Sequence, residues 1–492
     1  MSVIEREVIA DDTENLAELR RVFSLQKAAF LKDPHPDFAT RVARINTLVA
    51  VVLKYRDEMK AALCADFGWH PHAIADLIEI LGIAGRAAYT ISQLQQWMAV
   101  DPRPIDPGLW GSAQASVRQE PKGVIGNMVP WNFPFDIAFG PVIDMLAAGN
   151  RVILKPSDLS PACGALMARM IEEAFEPDLV WVSNGGVDLA KAFPTLGWDH
   201  LMYTGSSAIG KSVMRAAAEN LVPVTLELGG KSPAILAPDA VTPRSVANVL
   251  GMKMLKSGQV CVAPDHVFVP RNLMDKFLDL AEQHLREVTP DHVGGVDCTA
   301  IIAQRHFARL ERMLEQARQA GCRVIQPEAG AAPYMGTRQM PLTLVVEPAD
   351  NLALMQEEIF GPILPVIPYD NLENLLGRIN SGERPLALYI YTEQDSVAEY
   401  VIHNTHSGGV GVNVAVLHGA LAPLPFGGVG NSGMGRHHGI EGFREFSNPR
   451  GVFKRGTDAD MIDAFNPPYR TLEMIVSGAY AQADGAAPAG EP

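Results

Sequence analysis

The sequence predicts an α/β protein whose sheets are mostly parallel. From residue 123 onwards, short apolar segments of about five residues alternate with segments of helical periodicity, which is typical of βαβ units. Right-handed crossovers between such strands would make the sheet doubly wound, with ligands bound at the carboxyl ends of the strands. At 492 residues the chain exceeds one ordinary core, so we expect two or three domains.

The N-terminal part of the chain predicts helices. Residues 16–100 contain two or three long helical segments, and in the second of these Val42, Ile45 and Val49 recur at helical spacing. The prolines that follow residue 100 end this helical region. Weak alternation after them, at 112–119, predicts an exposed hairpin.

Two series of strands and helices follow. The first series places strands at 123–129, 151–155, 179–183, 200–204 and 223–228, with helices near 136–148, 160–175, 187–195 and 207–219. The second series predicts a second α/β domain, with strands at 234–237, 266–269, 323–325, 343–347, 364–367, 386–391 and 410–413 and helices near 243–257, 272–288, 304–320, 371–380 and 394–404. Residues 478–492 are rich in Ala, Gly and Pro, which predicts a disordered tail.

Composition and charge exclude several classes of protein. Hydrophobic residues make up 47% of the chain and charged residues 20%, which is typical of a globular protein. The formal net charge of −15 argues against non-specific binding to nucleic acid or anionic membranes. The five cysteines form no CxxC pair and the histidines no metal-ligand pattern, so we expect a cytoplasmic protein without a metal. We expect neither a signal peptide nor a transmembrane helix.

One cysteine and one glutamate are candidates for covalent catalysis. Cys261 follows a glycine-bearing break in a helical pattern, in the segment Lys256-Ser-Gly-Gln-Val-Cys-Val-Ala-Pro264, and such a break can present the sulfur to a cleft. Glu227 lies at a predicted strand end, in the segment Leu226-Glu-Leu-Gly-Gly-Lys-Ser-Pro233, and could serve the sulfur as a general base. Free cysteines are usually buried apolar side chains, and spacing alone favours that interpretation of Cys261.

Two motifs at predicted strand ends are candidates for binding a nucleotide. In Gly205-Ser-Ser-Ala-Ile-Gly210 the glycines open a predicted helix, whose free amides and positive dipole end suit a phosphate. A glycine followed by a serine N-cap is also ordinary at the start of a helix. In Lys155-Pro-Ser-Asp158 the ammonium and the carboxylate could hold ribose hydroxyls, or form a solvated turn.

Two further motifs carry an amide and a pair of acids. In Pro130-Trp-Asn-Phe-Pro134 the prolines fix the backbone around Asn132, whose amide could donate to an oxyanion or belong to an ordinary turn. The segment Glu357-Glu-Ile-Phe-Gly-Pro362 combines acidic residues with an aromatic ring, and a capped turn with one buried phenylalanine explains it equally well.

Together these motifs resemble those of the aldehyde dehydrogenase superfamily. Trp-Asn-Phe-Pro, Lys-Pro-Ser, Tyr-Thr-Gly-Ser, Glu-Leu-Gly-Gly-Lys-Ser-Pro, Gly-Gln-Val-Cys and Glu-Glu-Ile-Phe-Gly-Pro occur in that superfamily's order and approximate spacing. Pro425-Phe-Gly-Gly-Val-Gly-Asn-Ser-Gly-Met-Gly435 resembles its C-terminal glycine-rich segment, and the resemblance spans residues 20–455. Lys-Pro-Ser, Lys-Ser-Pro and Gly-Asn-Ser-Gly-Met-Gly look closest to the class 3 and coniferyl aldehyde dehydrogenase-like branch.

The resemblance implies a nucleophile, an oxyanion donor and a base. Cys261 would attack the aldehyde carbon to form a thiohemiacetal, whose oxyanion the Cys261 N–H and the Asn132 amide would hold. Hydride transfer to NAD or NADP would leave a thioester intermediate on the sulfur. Glu227 would then activate water and release the carboxylic acid.

The same resemblance implies where NAD or NADP binds. The cofactor-binding set comprises Lys155 and Asp158 at the adenosine ribose, Gly205, Ser206 and Gly210 at the pyrophosphate, Glu358 and Phe360 at the nicotinamide ribose, Leu228 and Gly229 behind the nicotinamide ring, and also Trp131 and Ser157. Asp158 is shorter than the glutamate often found at this position in the family, so the choice between the two cofactors stays open, with NAD slightly favoured. Tyr203 stands where many members have Phe, and we expect no consequence.

The fold implied is a Rossmann-like cofactor domain, an α/β catalytic domain and a small β oligomerisation element. Residues 1–102 and 123–228 would form the first of these, residues 229–412 the second, and the segments 103–122 and 413–455 the third. Members of this kind are usually dimers or tetramers, so we expect a homodimer or a homotetramer.

The expected reaction is oxidation of an aldehyde, aromatic, cinnamyl-type or otherwise apolar, to its carboxylic acid. One alternative is an acylating dehydrogenase in which coenzyme A or phosphate replaces water, although Glu227 favours hydrolysis. Another alternative is a binding or structural relative that has lost the reaction. The presence of Cys261, Glu227 and Asn132 together speaks against such a relative, because a non-catalytic protein has no need for all three.

Overall fold

Two sheets of mainly parallel strands form the framework of the protein, in a computed structural model that describes residues 12–326, 337–458 and 460–485. The strands are β1 (Asp101–Arg103), β2 (Gln114–Pro121), β3 (Val124–Met128), β4 (Arg151–Lys155), β5 (Val180–Val182), β6 (His200–Gly205), β7 (Val224–Leu228), β8 (Pro233–Leu236), β9 (His266–Pro270), β10 (Arg323–Ile325), β11 (Thr343–Val346), β12 (Ile363–Tyr369), β13 (Ala387–Tyr391), β14 (Gly409–Val412), β15 (Gly433–Met434) and β16 (Ser447–Lys454).

The α-helices cover these sheets. They are α1 (Thr13–Lys32), α2 (Phe38–Lys54), α3 (Arg56–Phe67), α4 (His72–Ile74), α5 (Ile83–Trp97), α6 (Pro107–Trp110), α7 (Asp136–Ala147), α8 (Pro161–Ala174), α9 (Val187–Ala192), α10 (Ser207–Ala218), α11 (Pro243–Met254), α12 (Met274–His292), α13 (Gln304–Gln319), α14 (Ala353–Gln356), α15 (Leu372–Ser381), α16 (Asp395–His403), α17 (Gly439–Glu445), α18 (Asp460–Ala464) and α19 (Arg470–Gly485). A π-helical stretch, Ala75–Gly82, joins α4 to α5.

The first sheet carries Glu227. Its strand order is β15-β7-β6-β3-β4-β5, and every pair is parallel except β15 with β7. Side chains of β3 alternate between two apolar clusters: Ile125 packs with α2, α7 and α8, whereas Val124 packs with α1 and α10. Helices therefore cover both faces, as the continuous apolar character of these strands requires.

The second sheet has the strand order β10-β11-β12-β9-β8-β13-β14, and only the pair β10–β11 is antiparallel. The two sheets are consecutive in the chain, because β7 ends at Leu228 and β8 begins at Pro233. The glycine-containing link between them places Glu227, near the carboxyl end of β7, close to both sheets. Binding sites of open α/β sheets lie at such strand ends.

A third, smaller sheet has the order β1-β2-β16, with both pairs antiparallel. The predicted hairpin near 103–122 corresponds to β1 and β2, which are joined by a segment containing α6. The third strand, β16, comes from the far end of the chain. Residues 413–455, which we assigned to the oligomerisation element, contribute to two sheets, because β15 extends the first sheet and β16 completes the third.

Each strand predicted between 123 and 413 is present, with bounds shifted by at most two residues. The predicted helix 243–257 ends earlier, because the chain turns into the 3₁₀ segment Leu255–Gly258. The predicted disorder of residues 478–485 was wrong, since α19 extends through them; its alanines favour helix over the disorder that composition indicated. Residues 486–492 of the same prediction lie outside the described residues. Within the described ranges, no helix is long and apolar enough to cross a bilayer.

Candidate active site

Cys261 follows a turn with an unusual backbone. After α11 the chain forms the 3₁₀ turn Leu255–Gly258, in which Lys256, Ser257 and Gly258 have φ angles of 50°, 53° and 72°. Positive φ costs a residue that carries a Cβ about 1–2 kcal/mol. The surroundings must therefore stabilise this turn, which we call the cysteine turn (255–258).

Gly258 has no room for a side chain. A Cβ at this position would collide with the backbone oxygen of Gly361, and the φ of 72° disfavours any residue but glycine. We therefore expect Gly258→Ala to lower the free energy of unfolding by about 3 kcal/mol, measured by urea denaturation. Gly251→Ala is the matched control, because a Cβ there meets nothing within 4 Å. An equal loss of stability in both variants would contradict this explanation.

The side chain of Gln259 joins the cysteine turn to residues 300–302. Its side-chain Nε2 donates to the carbonyl oxygens of Lys256 and Ala300, each across 3.1 Å, and its Oε1 accepts from Ile302 N–H across 3.0 Å. The side chain is fully buried. Sequence reasoning missed this role, although Gln259 is part of the Gly-Gln-Val-Cys motif, because a motif does not show which distant carbonyl groups its amide will contact.

Asn132 is brought to the same loop from the first sheet. It follows β3 and is buried, and its Nδ2 donates to the carbonyl oxygen of Gln259 across 3.1 Å. A primary amide nitrogen carries two hydrogens, and this contact uses one of them. The other hydrogen can therefore serve a ligand oxygen. The structure thus places the predicted oxyanion donor beside the loop that carries Cys261.

The thiol of Cys261 is half-buried, whereas the thiols of Cys163 and Cys298 are buried. Burial, followed by the nearby carboxylates of Glu358 and Glu227, raises the pKa of the Cys261 thiol to about 12. The resting sulfur is therefore protonated at neutral pH, and a base has to accept its proton before it can attack a carbonyl carbon.

Glu227 is suited to act as a base. Its side chain is buried, and neither carboxyl oxygen has a hydrogen-bond partner among the described residues. Burial raises the pKa of Glu227 well above its ordinary value, Arg436 lowers it and Glu445 raises it. Buried polar groups without partners are rare in proteins, and a carboxyl group with a raised pKa in such a place is typical of a functional site.

The segment 357–360 is held in place by charged residues that sequence reasoning missed. Asp265 accepts Lys231 Nζ on one carboxylate oxygen and Ile359 N–H, across 2.9 Å, on the other. Lys231 also donates to the carbonyl oxygen of Glu357 across 2.9 Å. Arg309 donates to the carbonyl oxygen of Glu358 across 3.2 Å. These contacts tie Glu358 to the link between β7 and β8.

Glu358 lies against the glycines of that link. A Cβ at Gly229 would overlap the Glu358 carboxyl group, which accepts a hydrogen bond from Gly230 N–H. Burial raises the pKa of Glu358 to about 7, and the Gly230 contact opposes that shift. Phe360 packs edge-on against Trp131, with ring centroids 5.3 Å apart, so these two predicted cofactor residues are neighbours.

The nucleotide candidates lie at the strand ends of the first sheet. Gly205 ends β6, and Ser206 caps α10 with its hydroxyl accepting from Ile209 N–H across 3.5 Å. Gly210, in the first turns of α10, packs against Leu228, where a Cβ would lie 2.7 Å from the leucine side chain. The glycine thus lets the helix N-terminus approach β7, and its free amides and dipole suit a pyrophosphate.

The residues predicted to bind the ribose follow β4. Lys155 is buried and its Nζ donates to the carbonyl oxygen of Pro156 across 2.9 Å. Burial lowers the pKa of Lys155, while the charges of Asp158 and Asp12 raise it. Ser157 is half-buried and Asp158 is exposed. A buried ammonium near an exposed carboxylate fits a ligand with several hydroxyl groups, so the donor set is compatible with a dinucleotide.

The structure brings the predicted set together in two groups. Asn132, Glu227, Cys261 and Glu358 lie where the two sheets meet, and the paired rings of Trp131 and Phe360 come from the segments that carry Asn132 and Glu358. The other predicted residues, at 155–158, 205–210 and 228–229, lie at the carboxyl ends of β4, β6 and β7. Among the described residues, no group of three or more His, Cys, Asp or Glu side chains is arranged to hold a metal ion.

Comparison with known proteins identifies the family of the chain. The family model described as "Aldehyde dehydrogenase family" matches residues 7–452. The chain is 41% identical over 468 residues to a probable coniferyl aldehyde dehydrogenase from Pseudomonas aeruginosa, which covers 94% of this chain and 96% of the relative. It is 39% identical over 458 residues to a probable coniferyl aldehyde dehydrogenase from Caulobacter vibrioides, covering 92% and 94%.

Solved structures show the same fold. The chain is similar to the substrate-bound state of AldH from Staphylococcus aureus, with a TM-score of 0.87, 30% identity and coverage of 94% of this chain and 99% of the other. It is also similar to an aldehyde dehydrogenase from Mycobacterium tuberculosis complexed with NAD+, with a TM-score of 0.80, 27% identity and coverage of 89% and 90%. The predicted α/β fold is confirmed, and the chain belongs to the aldehyde dehydrogenase family.

Proposed function

We propose that this protein oxidises aromatic, cinnamyl-type or other apolar aldehydes to carboxylic acids, with NAD or NADP as the hydride acceptor. The observation that carries the proposal is the convergence of a half-buried thiol, Cys261, with a buried carboxyl group that lacks hydrogen-bond partners, Glu227, and a buried amide, Asn132. Relatives named as coniferyl aldehyde dehydrogenases support the aromatic substrate class.

The residues divide the reaction into an acylation and a hydrolysis. Cys261 Sγ forms a bond to the aldehyde carbon while its proton passes to a base, and the carbonyl oxygen becomes an oxyanion held by the Cys261 N–H and the Asn132 amide. A nicotinamide cofactor held by the residues at 155–158, 205–210 and 358–360 would supply the hydride acceptor, and the oxidised substrate carbon would remain on the sulfur as a thioester. Glu227 then removes a proton from water, which attacks the thioester carbon and releases the acid and the thiol.

The surroundings of the sulfur favour an apolar acyl group. Cys261 packs against a buried apolar cluster that includes Phe133, and the half-buried Ile78, Ile137 and Phe426 pack against the same cluster. An aromatic ring removed from water in such a place contributes about 2–3 kcal/mol of binding free energy. A small aliphatic aldehyde that carries a charge or several hydroxyl groups would place these polar groups against the apolar cluster without hydrogen-bond partners.

The test is an aldehyde panel with purified protein. Cinnamyl, aromatic, long aliphatic and small polyhydroxylated aliphatic aldehydes are supplied with NAD or NADP, and formation of reduced cofactor is measured. We expect the highest kcat/KM with cinnamyl or aromatic aldehydes. Absence of reduced cofactor with every aldehyde would refute the proposal. Adding coenzyme A or phosphate distinguishes the acylating alternative, since turnover that requires either of them would show that water is not the acceptor.

Asn132→Ala measures the contribution of the oxyanion donor. The substitution removes one of the two proposed donors, so we expect kcat to fall about 10²–10³-fold. We expect the dissociation constant of the cofactor to change little, because the amide contacts the reacting oxygen. Stopped-flow measurement of the first turnover tests both. A change confined to cofactor affinity, with kcat intact, would show that Asn132 has a different role.

The exposed Asp158 is the residue that bears on the choice between NAD and NADP. A carboxylate beside the adenosine ribose accepts from its 2′-hydroxyl and repels a 2′-phosphate, which favours NAD. A relative named as a dimeric, NADP-preferring aldehyde dehydrogenase, 32% identical to this chain, supports NADP as the alternative. The ratio of kcat/KM for the two cofactors decides between them.

We also propose that the protein is cytoplasmic, that it forms a homodimer or a homotetramer, and that it has the three domains assigned from its sequence. The residues 101–103, 114–121 and 447–454 form a separate sheet whose edge strands β1 and β16 have no neighbour on their outer sides among the described residues. Unpaired edges of this kind readily add strands of another chain. Exposed Phe453 adds apolar surface to β16. Multi-angle light scattering of the purified protein tests the oligomeric state, because it measures the molar mass of the assembly.

A further inference from the structure

A fully buried ion pair lies behind the proposed oxyanion site. Lys256 Nζ donates to Glu79 Oε1 across 2.8 Å, and both side chains have 0% of their surface exposed. Glu79 belongs to the π-helical stretch Ala75–Gly82, and Lys256 to the cysteine turn. Removing two charges from water costs several kcal/mol for each ion, which only close pairing and further hydrogen bonds can offset. A pair of this kind therefore requires an explanation beyond stability.

The second oxygen of Glu79 holds the loop that carries Asn132. Glu79 Oε2 accepts from the backbone N–H of Phe135, across 3.0 Å, and of Asp136, across 2.9 Å. These two amides lie at the N-terminus of α7, where the helix dipole also favours a negative charge. A single carboxylate thus connects the cysteine turn, through Lys256, with the loop between β3 and α7.

The ammonium of Lys256 is enclosed by aromatic rings. It lies 4.1 Å from the centroid of the Phe133 ring and 5.0 Å from that of Phe67. Phe133 is the residue after Asn132, so Lys256 contacts the oxyanion loop directly as well as through Glu79. A desolvated cation over two rings gains about 2 kcal/mol or more from the ring quadrupoles. Lys256 adopts a φ of 50°, so these contacts hold a backbone conformation that lysine disfavours.

Burial and the neighbouring charges determine the protonation states of Glu79 and Lys256. Burial raises the pKa of the Glu79 carboxyl and lowers the pKa of the Lys256 ammonium, and their mutual contact opposes both shifts. Asp136 and Cys163 raise the pKa of Lys256 as well, and burial together with the Lys256 charge lowers the pKa of His70 to about 2. The neighbouring imidazole is therefore neutral, and the carboxylate of Glu79 is the direct partner of the ammonium.

We propose that Glu79 and Lys256 are a positioning pair, which fixes the cysteine turn relative to the Asn132 loop so that the Cys261 N–H and the Asn132 amide converge on one oxygen atom. This inference rests on the proposed aldehyde oxidation, and neither residue contacts the reacting atoms. The two oxyanion donors come from different sheets of the protein, so their separation depends on the connection between two loops. A displacement of about 1 Å between reacting groups lowers a rate about 10²-fold.

Three variants test the pair. Glu79→Gln leaves Lys256 without a counter-charge, Lys256→Met leaves Glu79 to its two backbone donors, and the double variant replaces the pair with neutral side chains of similar size. Single-turnover formation of reduced cofactor and cofactor-independent acylation by p-nitrophenyl acetate are measured per titrated Cys261 thiol. We expect both rates to fall about 10²-fold in each single variant and at least about tenfold in the double variant. The dissociation constant of the cofactor should stay within about twofold, since α10 and the β4 and β6 ends are untouched.

Lys27→Met is the matched control. Lys27 forms an ion pair with Asp199, 2.7 Å long, and this pair lies away from the proposed site. The control should lower the melting temperature without changing either rate. If the single variants do not fold, the double variant decides, because it contains no unpaired buried charge. Wild-type acylation rates in the folded variants, or in the double variant alone, would overturn the proposal. Failure of the proposed function is a separate result, visible as absence of aldehyde oxidation in the unaltered protein.

Discussion

Cys261→Ala is expected to abolish aldehyde oxidation while leaving the fold intact. The covalent route begins at this sulfur, and removal of a nucleophile typically costs at least about 10⁴-fold in kcat even where binding and the oxyanion donors persist. The side chain is small and half-buried, so its loss creates little cavity. Formation of reduced cofactor over hours, compared with thermal unfolding of the same sample, separates loss of chemistry from loss of structure.

The control for this prediction is Cys322→Ala. Cys322 is also a half-buried free cysteine, but it lies before β10, away from Glu227 and Asn132. The control should keep full activity. Mass spectrometry of the unaltered protein, quenched during turnover, should find the acyl group on the peptide that contains Cys261. Turnover by Cys261→Ala within tenfold of the unaltered protein would refute the covalent mechanism.

The sequence predicted those parts of the fold that depend on local periodicity. Strands β3 to β14 were recognised because each is a short apolar run beside a helix, and burial on both faces makes such runs continuous. Strand β16 was not recognised, because its partner β2 lies more than 300 residues earlier and β16 itself is largely exposed. The two-residue strand β15 is too short for any periodicity. Pairing between distant segments is a property of the folded chain.

The site was predictable to the extent that its chemistry resides in the motifs. Cys261, Glu227 and Asn132 were named from motifs, and the structure brings all three to the place where the two sheets meet. The residues that hold them in place were not named. Asp265, Arg309 and Glu79 carry no motif that indicates their contacts, and each acts on a segment at least 40 residues away. Only the folded structure reveals which backbone groups a distant side chain will reach.

Glu227→Gln is expected to separate acylation from hydrolysis. The amide cannot accept a proton from water, so the thioester should accumulate after one turnover. We expect a burst of about one reduced cofactor for each active site, followed by steady turnover at least about 10²-fold slower. After the burst and removal of free aldehyde, hydroxylamine, which attacks a thioester without a base, should release the acyl group as a hydroxamate and free the Cys261 thiol for a second burst. The substitution replaces a buried carboxyl group that has no hydrogen-bond partner among the described residues, so stability should not fall. Unchanged steady turnover would show that another group activates water.

The pH dependence of the steady rate identifies the base. Burial raises the pKa of Glu227 above its ordinary value, and only the deprotonated carboxylate accepts a proton, so the rate of hydrolysis should fall as the pH falls through this raised pKa.

Glu445 contributes to the raised pKa of Glu227 through its negative charge. Glu445→Gln should therefore lower the pKa of Glu227 and move the rising limb of the profile to lower pH, with the maximal rate retained. In the variant Glu227→Gln the rise of the steady rate with pH should disappear, because the titrating carboxyl group is gone. A profile that Glu445→Gln moves to higher pH would contradict this electrostatic account, because removing a negative neighbour makes a carboxyl group more acidic.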